Sequence, residues 1–165
     1  MKKLISLFLS LFFLSGCVAK YVEPSSSEPI ASISFERSSK DPILGSSTFF
    51  ISLDESYECI PGKGFIGQKI MATIDKGNPL VKDTSNRVIS IPTKSNFRLL
   101  VVNAAGLSTC DVVLGFKPEQ GKKYLVLSKS DLKSSEISCS AEITEISSNE
   151  KIDVNLTEYK QCNID

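Results

Sequence analysis

Between Ile30 and Thr157 apolar and polar residues alternate in short runs, and the phase resets at each turn. Alternation with a period of two sends successive side chains to opposite faces, so each run predicts a strand with one dry and one wet face. In Ile30–Glu36 the dry set is Ala31, Ile33 and Phe35, against Ser32, Ser34 and Glu36. Ser47–Leu53 repeats the pattern with Phe49, Ile51 and Leu53. Phe65–Ile74, Arg87–Ile91 and Phe97–Asn103 are further strand candidates, rich in β-branched residues. In Leu107–Phe116 the inward set is Cys110, Val112, Leu114 and Phe116. Pro118-Glu119-Gln120-Gly121 carries hairpin chemistry into Lys123–Ser128. Glu136–Ile146 aligns Ile137, Cys139, Ala141 and Ile143, and Ser148-Asn149-Glu150 turns the chain into Lys151–Thr157, with Ile152, Val154 and Leu156 in phase.

About nine short strands without a helical stripe predict an all-β domain over residues 30–165. A β-sandwich of immunoglobulin-like or transthyretin-like type fits best, and a small closed β-barrel is the alternative. Upstream, Val18–Pro29 (VAKYVEPSSSEP) is Ser/Pro-rich and shows no periodicity. It reads as a flexible tether able to reach about 40 Å when extended.

The chain begins Met1-Lys2-Lys3 and then runs from Leu4 to Leu14 without a charge. A basic start followed by a short apolar run has the form of an export signal, here residues 1–16. A spanning helix needs about 20 apolar residues, and Gly16 and Lys20 end the run too early. Leu14-Ser15-Gly16-Cys17 resembles the lipobox of bacterial lipoproteins. That resemblance implies cleavage before Cys17, a diacylglyceryl group on its thiol and an acylated amino terminus. Val18, where an Asp would favour the inner membrane, implies an outer-membrane destination with the domain facing the periplasm. A plain secretory site at Cys17-Val18-Ala19 and an ordinary buried Cys17 are the competing readings. Cys17 with Val18–Pro29 then forms the lipidated tether, and the membrane is the first expected partner.

Lys plus Arg and Asp plus Glu each number 19, and losing Lys2 and Lys3 leaves a slightly acidic chain. Without a basic stripe or basic–aromatic interleaving, no nucleic-acid partner is expected. Beyond Cys17 the cysteines are Cys59, Cys110, Cys139 and Cys162. An even number in an exported chain predicts disulfides, whereas a metal site lacks both CxxC spacing and histidine. Cys110 and Cys139 both fall on dry faces. In a simple meander they would stand two strands, about 10 Å, apart. A bridge needs Cα atoms within about 6.8 Å, so this pair requires strands that face each other across two sheets or pair out of order. Cys110–Cys139 with Cys59–Cys162 is preferred, and the other two connectivities stay open.

No catalytic constellation stands out, and no activity or cofactor is expected. The absence of histidine removes Ser-His-Asp and Cys-His arrangements. Gly62-Lys63-Gly64-Phe65-Ile66-Gly67 spells GxGxxG but precedes a strand-like run, not a helix. Phe116-Lys117-Pro118-Glu119-Gln120-Gly121-Lys122-Lys123-Tyr124, between Cys110 and Cys139, resembles an FxPxxGxxY turn of small proteobacterial lipoproteins. The resemblance implies a β-sandwich and no particular chemistry. The expectation is thus a lipid-anchored envelope module that binds a protein partner or serves a structural role. The alternative is a periplasmic inhibitor of a lysozyme-type enzyme, acting through the loop Ser56–Gly67.

Overall fold

The computed structural model describes residues 19–25, 27–39, 46–60, 64–77, 81–131 and 138–157. Their strands are β1 (Ala19–Lys20), β2 (Ile30–Ser39), β3 (Ser46–Ile60), β4 (Gly64–Lys76), β5 (Ile89–Pro92), β6 (Phe97–Ala105), β7 (Ser108–Phe116), β8 (Lys123–Asp131), β9 (Ser138–Glu145), β10 (Glu150–Lys151) and β11 (Asn155–Thr157). They form a six-stranded sheet, β1-β4-β3-β6-β7-β11, and a five-stranded sheet, β10-β9-β8-β2-β5. Pairing is antiparallel except for β1 with β4 and β2 with β8. The two sheets keep separate edges, so the architecture is an open sandwich and not a barrel.

The core lies between the sheets because the alternating apolar sets of both point inward. Ala31, Ile33 and Phe35 from one sheet meet Phe50, Leu99, Val101 and Leu114 from the other. Phe35 and Phe50 stack at 4.5 Å between centroids. At one end Phe116 meets Phe97 and Tyr124 edge to face, at 6.2 and 5.0 Å. Burying each such side chain contributes about 1.5–3 kcal/mol.

Four expectations need correction. First, Phe49, Ile51 and Leu53 do not face the main core. Register pairs Ile51 with Ile70 and Leu100, and Leu100 with Val113. That row forms a second apolar cluster on the outward face, while Phe50 and Thr48 point inward. The run Phe49-Phe50-Ile51 is apolar on both phases, so alternation alone could not choose.

Second, the Pro118–Gly121 turn is not a hairpin, because β7 and β8 belong to opposite sheets. It is a corner between sheets, closed by the Glu119 N–H donating to Tyr124 Oη at 3.0 Å. Gly121 has φ +76°, a conformation that favours glycine. A tyrosine bonded to backbone a few residues upstream is a known corner device of Greek-key sandwiches, and here it ties Tyr124 to the turn at Glu119.

Third, Lys151–Thr157 is not one strand. β10 extends the five-stranded sheet beside β9, and β11 extends the six-stranded sheet beside β7. Ile152 and Val154, between them, pack against the core as the chain crosses over.

Fourth, the segment read as a tether carries β1. Ala19 and Lys20 pair with Lys69 and Ile70. Tyr21 continues with an N–H donated to the Ile70 carbonyl at 2.9 Å, and its ring packs on the core.

Candidate functional site

Two seams run along the sandwich where one sheet edge faces the other. At the first, residues 19–30 leave β1 in the six-stranded sheet and enter β2 in the five-stranded one. Tyr21 lies across this seam, its hydroxyl donating to the Ser90 carbonyl on β5 at 3.2 Å. Burial pushes its phenol up to about 12, with Glu23 and Asp54 adding to the shift. The Glu23 carboxylate accepts the Ser90 N–H at 2.9 Å and pairs with Arg87 at 3.2 Å. Those contacts, the Ser90 N–H foremost, hold Glu23 below the usual carboxylate range. Downstream, the Pro29 carbonyl receives both the N–H and the hydroxyl of Thr93.

At the opposite seam residues 150–157 cross back. Here Cys110 on β7 and Cys139 on β9 form a disulfide with Cα atoms 6.1 Å apart. The bridge forms because the two strands face each other across the sandwich, which removes the meander objection. Before the crossing, the buried Glu145 accepts the Ser147 and Ser148 N–H groups at 2.9 and 3.0 Å. Bonding to Ser148 and Ser147 lowers its carboxyl to about 2. Outside, Lys129 and Lys151 both clasp Glu142, at 2.6 and 2.7 Å, and lower its pKa as well.

Between the seams, at the end opposite the aromatic cluster, the interior turns polar. Asn103, Thr48 and Ser128 are fully buried. The Asn103 amide oxygen accepts from Thr48 at 2.8 Å and from Ser128 at 3.0 Å, joining the two sheets. Arg37 reaches in from β2 to the carbonyl and hydroxyl of Ser46, at 2.9 and 2.8 Å. Both Thr48 and Ser128 give their protons to an amide, which cannot act as a general base, so this network rigidifies and does not activate a nucleophile. Among the described residues, Asn103 Nδ2 and Ser130 Oγ are buried without a hydrogen-bond partner. A cleft of about 350 Å3 opens nearby, lined by Ser38, Lys129, Ser130, Asp131 and Cys139. It gathers small hydroxyls and a lysine already paired with Glu142.

Of the residues singled out from sequence, Cys110 and Cys139 come together. Leu14, Ser15, Gly16, Cys17 and Cys162 lie outside the described residues, and so does the tripeptide Pro61–Lys63. Cys59 pairs with Phe65 through backbone in the β3–β4 ribbon, beside Gly64 opposite Ile60. The glycines at 64 and 67 thus sit within β4 and not at a helix start. The side chains of the loop assigned to enzyme inhibition, Ser56–Gly67, are outside the described set up to Ile66. Among the described residues no three His, Cys, Asp or Glu groups gather as a metal site, and no helix is long and apolar enough to cross a membrane. Tyr21 and Glu23 were not anticipated. Their signal is a pair of strand-forming residues, Tyr21-Val22, followed by Glu23 and then Pro24. Compared with known proteins, the chain matches no family model and no curated sequence.

Proposed function

We propose that this chain is an exported lipoprotein, acylated at Cys17, whose sandwich is a binding or structural module of the cell envelope. The observation that carries the reading is Leu14-Ser15-Gly16-Cys17 behind a basic start and an uncharged apolar run. A disulfide between Cys110 and Cys139 suits an oxidising compartment and supports export. Each buried methylene contributes about 0.8 kcal/mol, so two or more acyl chains hold the protein in a bilayer without a spanning helix. In this reading the lipid supplies the membrane partner, and the sandwich, on the periplasmic side of the outer membrane, meets an envelope protein. No cofactor is needed.

Feeding cells a clickable palmitate analogue tests the anchor. The full-length protein takes up label and fractionates with membranes, and Cys17→Ser loses the label and is released or stays unprocessed. Undiminished lipid label on Cys17→Ser contradicts the assignment. In-cell crosslinking of the anchored protein then tests the binding role, which predicts one dominant envelope protein, lost when the sandwich is deleted and the lipid kept.

A further inference from the structure

Only two residue steps separate Cys17 from Ala19, a reach of at most about 7 Å. Ala19 is not the start of a loose spacer: it is paired with Lys69 on β4. The next residues are fastened in turn, Lys20 beside Ile70, Tyr21 by its N–H, ring and hydroxyl, and Glu23 by Ser90 and Arg87. Paying out more chain would mean breaking this whole series, including the burial of Tyr21. Side-chain alternation along the segment turns Tyr21 inward and Val22 outward, and Val22 is 80% exposed. Lys20, also exposed, stands beside it.

We infer that the sandwich seats directly on the phospholipid surface by its β1–β4 seam, with Val22 and Lys20 at the headgroups. The inference rests on acylation of Cys17. An acyl anchor fixed within about 7 Å of a rigid strand leaves the domain no freedom to swing clear of the bilayer. An exposed valine next to a lysine suits the interface, where an apolar side chain enters the headgroup layer and an ammonium meets phosphate. The orientation has a consequence for partners. Four strand spacings separate β1 from β7 in the six-stranded sheet, so the disulfide-bearing seam stands about 19 Å further out. A periplasmic protein can reach that far seam without approaching lipid.

The test uses the acylated full-length protein, purified from membranes and reconstituted in vesicles of phosphatidylethanolamine with a minority of radiolabelled phosphatidylglycerol. A benzophenone side chain replaces Val22 in one form and Glu150, exposed on β10, in another. Intact mass of the same samples reports the lipid on Cys17. With Cys17 acylated, severalfold more lipid crosslinks to position 22 than to position 150. Inserting ten Gly/Ser residues between Val18 and Ala19 brings position 22 down to the level of position 150. Equal crosslinking at both positions in acylated protein without the insertion overturns the seating and leaves the anchor standing. Crosslinking at position 22 that the insertion does not reduce overturns the claim that the short connection sets the orientation. Absence of lipid on Cys17 overturns anchor and seating together.

Discussion

At the seam between β4 and β5 the crossing chain is residues 19–30; at the seam between β7 and β9 it is residues 150–157. Both leave an edge strand of one sheet and enter the other, and both press aromatic or aliphatic side chains into the gap: Tyr21 on one side, Ile152 and Val154 on the other. Each also sets a carboxylate on backbone N–H groups, Glu23 on Ser90 and Glu145 on Ser147 and Ser148. The difference is covalent. The far seam carries Cys110–Cys139, closing a loop with a sequence separation of 29, whereas the first is held by hydrogen bonds, one ring and one ion pair. In the chain-entropy account a loop of that length is worth about 3.5 kcal/mol, while each hydrogen bond contributes about 1. While the bridge is intact the far seam cannot separate, so the near seam is expected to open first under thermal or chemical stress, and a lipid on Cys17 would tie that side to the membrane.

The largest effect expected from breaking this contrast is loss of the bridge. Replacing both Cys110 and Cys139 by Ser removes about 3.5 kcal/mol. At about 2–4 °C per kcal/mol for a chain of this size, the Tm drops by about 10 °C. Reductant should lower the Tm of the wild type by at least as much. A shift within the error of the melt would mean that Ile152 and Val154 hold the far seam unaided.

Next comes Tyr21→Ala, which empties a half-buried site and removes the bond to Ser90. A loss of about 2 kcal/mol in a urea titration is expected, less than for a fully buried aromatic. Tyr21→Phe isolates the hydroxyl and costs about 1 kcal/mol. If Tyr21→Ala leaves the urea midpoint in place, the segment adds nothing to the fold.

Much of this architecture could be read from alternation, since Ala31, Ile33, Phe35, Leu114, Phe116 and Ile143 all point where the period of two sent them. Three features were not legible, for separate reasons. Phe49-Phe50-Ile51 offers apolar residues in both phases, and only pairing with Leu100 and Val101 decides between them. In Lys151–Thr157 the single phase of Ile152, Val154 and Leu156 in the sequence conceals a crossing, because Ile152 and Val154 both pack on the core while the backbone passes from one sheet to the other. In Val18–Pro29 the Ser/Pro composition masked the one short stretch that binds; whether Tyr21 lands on β5 depends on residues almost 70 positions away. The cysteine pairing was readable in part, since dry faces singled out Cys110 and Cys139 but their distance depended on which sheet each strand joined.

The two carboxylates allow a finer comparison by pH. Glu145 has its folded pKa lowered from 4.5 to about 2, so its stabilising contribution is complete above about 4.5 and is lost as pH falls toward 2. Tm measured across that window should fall for the wild type, and Glu145→Gln should flatten part of the slope. An unchanged slope would show that Glu145 is not held by the Ser147 and Ser148 N–H groups. The smallest effect belongs to Glu23→Gln. Its partner pair is about one-third exposed, so the loss is about 0.5 kcal/mol and shrinks in high salt. A loss that high salt leaves unchanged would locate the effect in the Ser90 contact and not in the Arg87 ion pair.

The account turns on residues 19–23 being part of the sandwich. Native-state hydrogen exchange on the processed full-length protein measures this at the Tyr21 N–H, bonded to Ile70, and the Ile152 N–H, bonded to Ile143 at the far crossing. Protection at both positions, with Tyr21 the weaker, is the predicted result. Exchange of Tyr21 at the rate of an unstructured peptide, beside a protected Ile152, would contradict it: the first seam would then be open and the segment before β2 a tether after all.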